Sequence, residues 1–147
     1  MKVALASDHA GYEVKESLKP LLGEMGFEVT DLGTSSPDSV DYPDFAEAVA
    51  RAVSLGQAEQ GVLVCGSGTG MAITANKVPG VRAAVAWNEE VARLAREHNN
   101  ANVLALGART TAEGTIPGIV RAWFDTEFAG GRHQQRIDKI ERVEAKD

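Results

Sequence analysis

Short apolar segments alternate with longer amphipathic segments five times along this chain, and no other feature limits its possible folds so strongly. The apolar segments are typical of β-strands and cover residues 2–6, 27–32, 62–64, 81–86 and 102–106. Helical spacing or helix-starting residues mark the segments after them, at residues 12–25, 44–53, 71–77, 88–98 and 112–124. Strands and helices in alternation form parallel sheets with helices on both faces. We therefore expect a Rossmann-like, three-layer α/β/α sandwich with a five-stranded parallel sheet.

Turn-forming residues and caps predict where the helices begin. The longest loop is expected at residues 33–43, where Gly, Ser, Asp and Pro are dense. Asp44 is expected to cap the second helix and Asn88 the fourth, because each side chain can accept a hydrogen bond from a first-turn N–H. Thr110 or Thr111 is expected to open the fifth helix.

The tail, residues 130–147, begins with a glycine pair and is rich in charge. Ile137, Ile140 and Val143 recur at every third position and form a narrow apolar stripe on a predicted helix. Such a stripe suits a sheet face or a second subunit, although a solvated charged helix explains the pattern equally well. Arg132 and Arg136 are four positions apart and project from one helical face. We expect a C-terminal helical tail at a subunit interface.

Size and composition restrict the class of protein. A chain of 147 residues fits one domain, residues 1–147, with a sizeable core. The net charge of -6, with no basic stripe, argues against nucleic acid as a partner. No segment reaches the roughly 20 apolar residues that span a bilayer, so no membrane partner is expected. A single cysteine and the absence of a signal-peptide pattern favour the cytoplasm.

The single cysteine, Cys65, directly precedes a glycine-rich turn that reads Gly66-Ser67-Gly68-Thr69-Gly70. A thiol there lies at the carboxyl end of a strand and beside a helix N-terminus, where the exposed amides and the helix dipole favour negative charge and hence a thiolate. The run is neither a P-loop nor a nucleophile elbow, because the residues that define those motifs are missing. Cys65 is thus a candidate base beside an anion cradle, or else an inert core residue.

Further polar residues follow other predicted strands, at the edge of a parallel sheet where ligands bind. Asp8 and His9 follow the first strand, Arg109 follows the fifth, and Tyr42 lies in the long loop. His98 closes the fourth helix, where an imidazolium also suits the helix dipole without any catalytic role. None of the three histidines has a neighbour at zinc-binding spacing, so no metal site is expected. Residue types alone indicate a small-anion site with acid–base potential.

Several segments together resemble the family of type B ribose-5-phosphate isomerases, which also includes galactose-6-phosphate isomerase subunits. The matching segments are Ser7-Asp8-His9-Ala10-Gly11, Asp41-Tyr42-Pro43, Cys65-Gly66-Ser67-Gly68-Thr69-Gly70, Ala75-Asn76-Lys77, His98-Asn99-Asn100-Ala101-Asn102-Val103 and Gly130-Gly131-Arg132-His133-Gln134-Gln135-Arg136. Some members use a glutamate in the glycine-rich helix as the base. Because this chain has Met71-Ala72-Ile73 there and retains Cys65, it is similar to the cysteine-based branch.

The resemblance implies reversible isomerisation of D-ribose 5-phosphate and D-ribulose 5-phosphate through a cis-enediolate, in the pentose phosphate pathway, without metal or cofactor. It implies that Cys65 moves a proton from C2 to C1, that His98 opens the furanose ring, and that Asp8 or Ser67 moves the proton between O1 and O2. The implied substrate-binding residues are Asp8, His9, Tyr42, Gly66, Ser67, Gly68, Thr69, Gly70, Asn99, Arg109, Arg132 and Arg136. It also implies homodimers or homotetramers that share their active sites.

The sequence is also compatible with other functions. One alternative substrate is a hexose 6-phosphate, such as allose or galactose 6-phosphate. It is one carbon longer than the pentose phosphate and needs a pocket longer by that carbon. A nucleotide-binding module is also possible, because a strand, a glycine turn and a helix precede Glu89 and Glu90. Its glycine spacing is one residue short of the dinucleotide fingerprint. A third alternative is a metal-dependent isomerase that works by hydride shift. A chelator would abolish the activity of such an enzyme.

Overall fold

In the computed structural model, which describes residues 1–145, five parallel strands form a single sheet. The strands are β1 (Lys2–Ser7), β2 (Glu28–Asp31), β3 (Gln60–Cys65), β4 (Ala83–Val85) and β5 (Val103–Gly107). Their order across the sheet is β2-β1-β3-β5-β4. The central strands β3 and β5 are buried throughout, as continuous apolar runs in a parallel sheet require. The predicted sheet is confirmed.

Six helices accompany the sheet in residues 1–145. They are α1 (Tyr12–Glu24), α2 (Tyr42–Ser54), α3 (Thr69–Ala75), α4 (Glu89–Asn99), α5 (Ile116–Phe124) and α6 (Arg132–Glu144). The predicted cap at Asn88 is confirmed, since its side chain accepts a hydrogen bond of 2.8 Å from the Val91 N–H. The predicted helical tail corresponds to α6, and its last two residues, 146 and 147, lie outside the described part of the chain.

Two predicted helix starts are wrong. Asp44 does not cap α2; Asp41 holds the N-cap position and Asp44 lies in the first turn. The helix begins earlier because Pro43 is tolerated in a first turn, where its missing N–H costs no hydrogen bond. The fifth helix begins at Ile116 rather than near Ala112. Pro117 again lies in the first turn, and the residues before it form turns instead.

Two hydrophobic cores lie on opposite faces of the sheet and complete the three layers. Helices α1, α4 and α5 cover one face, where Leu18 and Trp123 are fully buried. Helices α2 and α3 cover the other face, where Val49 and Met71 are fully buried. Cys65 belongs to this second core and is 5% exposed. The single thiol is therefore held between the sheet and the α2–α3 layer.

Helix α6 docks on its own chain by part of its apolar stripe. Ile137 is buried, whereas Ile140 and Val143 are 43% and 66% exposed. At the end of the helix the Glu144 carboxylate accepts hydrogen bonds of 3.0 and 3.1 Å from the Gly80 N–H. The outer half of the stripe therefore presents apolar surface to solvent, and a subunit interface there stays a prediction.

Candidate active site

Cys65 ends β3 and faces the first turn of α3. Its Sγ accepts a hydrogen bond of 3.1 Å from the Gly68 N–H. Gly68 has a left-handed backbone with φ of 79°, and a Cβ there would lie 3.1 to 3.3 Å from backbone atoms of Leu106. Only glycine fits this position without strain. The close approach of the turn to β5 is what brings an N–H onto the sulfur.

The loop after β5 forms backbone hydrogen bonds with the start of the same glycine-rich turn. The Ala108 N–H donates to the Cys65 carbonyl at 2.8 Å, and the Arg109 N–H donates to the Gly66 carbonyl at 2.9 Å. A Cβ on Gly66 would lie 3.7 Å from the Arg109 side chain. Backbone pairing therefore places an arginine beside the glycine-rich turn.

Asp8 and His9 follow β1 and lie next to the end of β3. The Asp8 N–H donates a hydrogen bond to the Val64 carbonyl at 3.2 Å, and the Asp8 carboxylate accepts a hydrogen bond of 3.1 Å from the Gly11 N–H. Asp8 is 6% exposed. His9 Nδ1 accepts a hydrogen bond of 3.1 Å from the Val40 N–H. Because Nδ1 accepts, the ring proton of neutral His9 lies on Nε2, which is left to donate to a ligand.

Tyr42 begins α2 and lies over the glycine-rich turn. A Cβ on Gly70 would lie only 2.5 Å from the Tyr42 ring, so the glycine lets the ring approach the α3 backbone. Tyr42 remains 41% exposed. The structure thus brings one group of predicted residues to the edge formed by the carboxyl ends of the strands, here called the carboxyl edge. This group is Asp8, His9, Tyr42, Cys65, Gly66, Ser67, Gly68, Thr69, Gly70 and Arg109.

The remaining predicted residues lie at the opposite, amino edge of the sheet. His98 and Asn99 end α4, which runs back along the sheet towards the start of β5. The Ala129 N–H donates to the Glu97 carbonyl at 3.0 Å, which brings the start of α6 beside them. His98, Asn99, Arg132 and Arg136 are therefore neighbours of one another and are exposed.

The length of the sheet keeps the two groups apart within one chain. Cys65 lies opposite Gly107, and Gly61 lies opposite Val103 at the start of β5. These four steps along a strand measure about 13 Å at a rise of about 3.3 Å per residue. His98 lies beyond that end of the sheet. The described chain therefore does not bring His98, Arg132 or Arg136 to its own Cys65.

His133 is a feature of the amino edge that the sequence analysis did not assign. Its ring stacks on that of His98, with centroids 4.5 Å apart and planes 13° from parallel. Burial, the nearby His98 and the charges of Arg132 and Arg136 lower the pKa of His133 below its usual range. The sequence contained one signal for this residue, because His133 directly follows Arg132 in the last of the matching segments.

Within residues 1–145, no three His, Cys, Asp or Glu side chains are grouped so that they could hold a metal ion. In the same part of the chain no helix combines the length and apolar character that a membrane crossing needs.

Comparison with known proteins extends over almost the whole chain. Ribose-5-phosphate isomerase B of Escherichia coli (strain K12) is 43% identical over 97% of this chain and 96% of its own length. The structure of ribose-5-phosphate isomerase B from Clostridium thermocellum matches with a TM-score of 0.96 and 48% identity, over 99% of this chain and 98% of that one. The Mycoplasma genitalium ribose-5-phosphate isomerase B structure, with bound ribulose-5-phosphate, matches with a TM-score of 0.95 and 43% identity, over 99% and 97%. The family model described as Ribose/Galactose Isomerase matches residues 3–140, and this chain belongs to that family.

Proposed function

We propose that this chain interconverts D-ribose 5-phosphate and D-ribulose 5-phosphate through a cis-enediolate. The observation that carries the proposal is the single thiol of Cys65, held at the carboxyl edge 3.1 Å from the Gly68 N–H and beside Asp8. The relatives named ribose-5-phosphate isomerase B support this choice of substrate. The ribulose-5-phosphate bound in the Mycoplasma genitalium structure supports it further.

Cys65 is the base in this scheme. Its thiolate takes the proton from C2 of the open-chain aldose, and the electron pair of that C–H bond forms the C1–C2 double bond of the enediolate. The thiol then returns a proton to C1, which gives the ketose. Backbone N–H groups in the first turn of α3 have no carbonyl partner within the helix, so they can donate to the developing negative charge, while the Gly68 N–H donates to Cys65 Sγ.

The proton on the substrate's oxygens moves separately. Asp8 or Ser67 transfers it between O1 and O2, since both side chains lie at the carboxyl edge beside Cys65. His98 acts as general acid on the furanose ring oxygen, and Asn99 hydrogen-bonds the sugar oxygens. The imidazole of His98 is exposed, and an imidazole can both donate and accept a proton, which suits this role.

The phosphate is bound by cationic and N–H donors from both edges. His9 offers Nε2–H, and Arg109 offers a guanidinium beside the turn. Arg132 and Arg136 bind the phosphate from the amino edge of a second copy of the chain, together with His98. A homodimer, or a homotetramer built from such dimers, therefore shares each active site between two chains. The exposed Ile140 and Val143 surface of α6 suits this contact.

The cytoplasm stays our prediction for the location of the enzyme. Its base is a free thiol, and a reducing compartment keeps such a thiol available for proton transfer.

A panel of sugar phosphates tests the proposed function. The purified protein is assayed with ribose 5-phosphate, allose 6-phosphate, galactose 6-phosphate and unphosphorylated ribose, each with and without a chelator. We expect the highest kcat/KM with ribose 5-phosphate and no loss with the chelator. A higher kcat/KM with either hexose 6-phosphate would reassign the substrate, and sensitivity to the chelator would contradict a metal-free mechanism.

A further inference from the structure

Lys15 occupies an unusual position for an ammonium group, because its side chain in α1 is fully buried. Its Nζ donates hydrogen bonds to Asp31 Oδ2 at 2.7 Å and to Glu16 Oε2 at 2.8 Å. The same nitrogen lies 5.4 Å from the centroid of the Tyr12 ring. A buried ion pair is weak evidence for a stabilising role, because an apolar pair of similar volume often serves stability as well. The proposed chemistry does not use Lys15, so its burial needs another explanation.

Asp31 connects this lysine to the start of the loop at residues 33–41. While Oδ2 accepts from Lys15, Oδ1 accepts a hydrogen bond of 2.9 Å from the Gly33 N–H. Burial acts to raise the pKa of Asp31, but the hydrogen bonds from Lys15, Gly33 and Lys19 outweigh it and lower that pKa. The carboxylate therefore stays charged and bridges α1 to the loop.

Gly33 in turn is fixed against β1. The Gly33 carbonyl accepts a hydrogen bond of 2.8 Å from the Ser7 N–H, and the Thr34 N–H donates a hydrogen bond of 2.9 Å to the Ser7 carbonyl. A Cβ on Gly33 would lie 2.7 Å from the Phe45 ring, so the backbone is closely packed on that side as well. Ser7 directly precedes Asp8 and His9, so the loop begins beside the catalytic edge.

The far end of the same loop returns to the site. The Val40 N–H donates to His9 Nδ1 at 3.1 Å, and Tyr42, two residues later, lies over Gly70. His9 is therefore oriented by a backbone N–H of a loop whose start is held by Asp31 and Lys15. If that start moves, the donor to Nδ1 moves with it.

We propose that Lys15 and Asp31 are positioning residues for substrate phosphate. They hold the start of the 33–41 loop, so that the Val40 N–H keeps His9 oriented with Nε2–H directed to the phosphate. The inference rests on the proposed function for the phosphate-binding role of His9. It adds a role for two residues that do not touch the substrate.

The first test uses Lys15→Met, with Lys19→Met as the matched control. Lys19 donates to the same two carboxylates, at 3.1 to 3.2 Å, but its side chain is 40% exposed. For Lys15→Met we expect KM for ribose 5-phosphate to rise about tenfold while kcat stays within about twofold. A tenfold change is the effect expected from losing one hydrogen bond to a charged group. Lys19→Met should leave both values unchanged. An unchanged KM in folded Lys15→Met would overturn the proposal.

The double variant Lys15→Met/Asp31→Leu separates positioning from stability and serves if the single variant does not fold. Removing both charges restores thermal stability, but Gly33 still lacks its acceptor. We expect KM to stay raised and the amides of residues 33–41 to exchange hydrogen faster than in the wild type. Recovery of the wild-type KM and exchange rate along with stability would show a purely structural pair and overturn the proposal.

Hydrogen exchange also separates this inference from the proposed function. If the wild-type protein does not isomerise ribose 5-phosphate, the proposed function fails at that step. The exchange rates of residues 33–41 in Lys15→Met and Lys19→Met still decide whether the buried lysine holds the loop, because they need no substrate. Equal rates in the two variants would overturn that part by itself.

Discussion

The carboxyl edge of the sheet holds its polar groups by burial and backbone hydrogen bonds, whereas the amino edge presents them from helix ends in contact with solvent. Cys65 and Asp8 are nearly buried, and each accepts a hydrogen bond from a backbone N–H. His98, Arg132 and Arg136 are exposed, and the ring of His133 stacks on that of His98. The polar groups of the carboxyl edge are therefore held in place by contacts within the chain, whereas those of the amino edge are open to solvent on their outer side.

This difference matches the chemistry that each region carries in the proposed reaction. Proton abstraction from carbon needs the base within a narrow range of distance and direction, so a rigid backbone frame suits it. The contribution of Arg132 and Arg136 to phosphate binding depends on charge over longer distances, so it can be added when a second chain approaches. We infer that the amino edge of one chain covers the carboxyl edge of another.

The largest expected effect is at the carboxyl edge, from Cys65→Ala. We expect kcat to fall about 100-fold to 10,000-fold, the range typical of a lost general base. Affinity for inorganic phosphate and the melting temperature should stay close to the wild-type values, because the turn is held mainly by backbone hydrogen bonds. Steady-state kinetics and calorimetry measure these quantities. If the variant keeps a tenth of the wild-type turnover, Cys65 is not the base.

Mixing two inactive variants tests whether the edges of different chains meet. Cys65→Ala disables one edge, and Arg132→Ala/Arg136→Ala disables the other at low concentrations of ribose 5-phosphate. After subunit exchange, each mixed dimer should contain one intact site and show about half of the wild-type activity, because its two defects fall in the other site. Labelled subunits confirm the exchange. Activity that stays absent in confirmed mixed dimers would mean that each site is built within one chain.

The smallest expected effect concerns His133 at the amino edge. Since its pKa is lowered, the folded protein binds fewer protons at His133 than the unfolded chain does. The stability from this group is complete above about pH 6.5, the reference value, and is lost as the pH falls from there through the lower folded pKa. NMR titration should give a midpoint below 6.5 for His133, and His98→Asn should move it upward. A midpoint at or above 6.5 would contradict the stacked arrangement.

Local patterns predicted the elements better than their starting residues. Apolar runs and glycine punctuation predicted all five strands and the glycine-rich turn, because these depend on neighbouring residues. The start of α2 was placed too late, because the first turn of a helix tolerates Pro43 while its pattern looks like a loop. The start of α5 was placed too early, because the residues just before Ile116 form turns although their pattern allows a helix. Lys15 gave no signal at all, since a charged residue on an amphipathic helix is expected to face solvent.

The type of sheet, the composition of the Cys65–Gly70 turn and the residue types available for acid–base and phosphate chemistry all follow from local patterns in the chain. Which of those residues meet depends on how the strands and helices pack in three dimensions. Strand order and direction arise from pairing between segments far apart in the chain, such as β3 with β5, and no local pattern encodes them. Because every strand is parallel and every connecting helix runs back, residues after strands gather at one edge and residues at helix ends gather at the other. That geometry, rather than residue spacing, separates Cys65 from His98 within the chain.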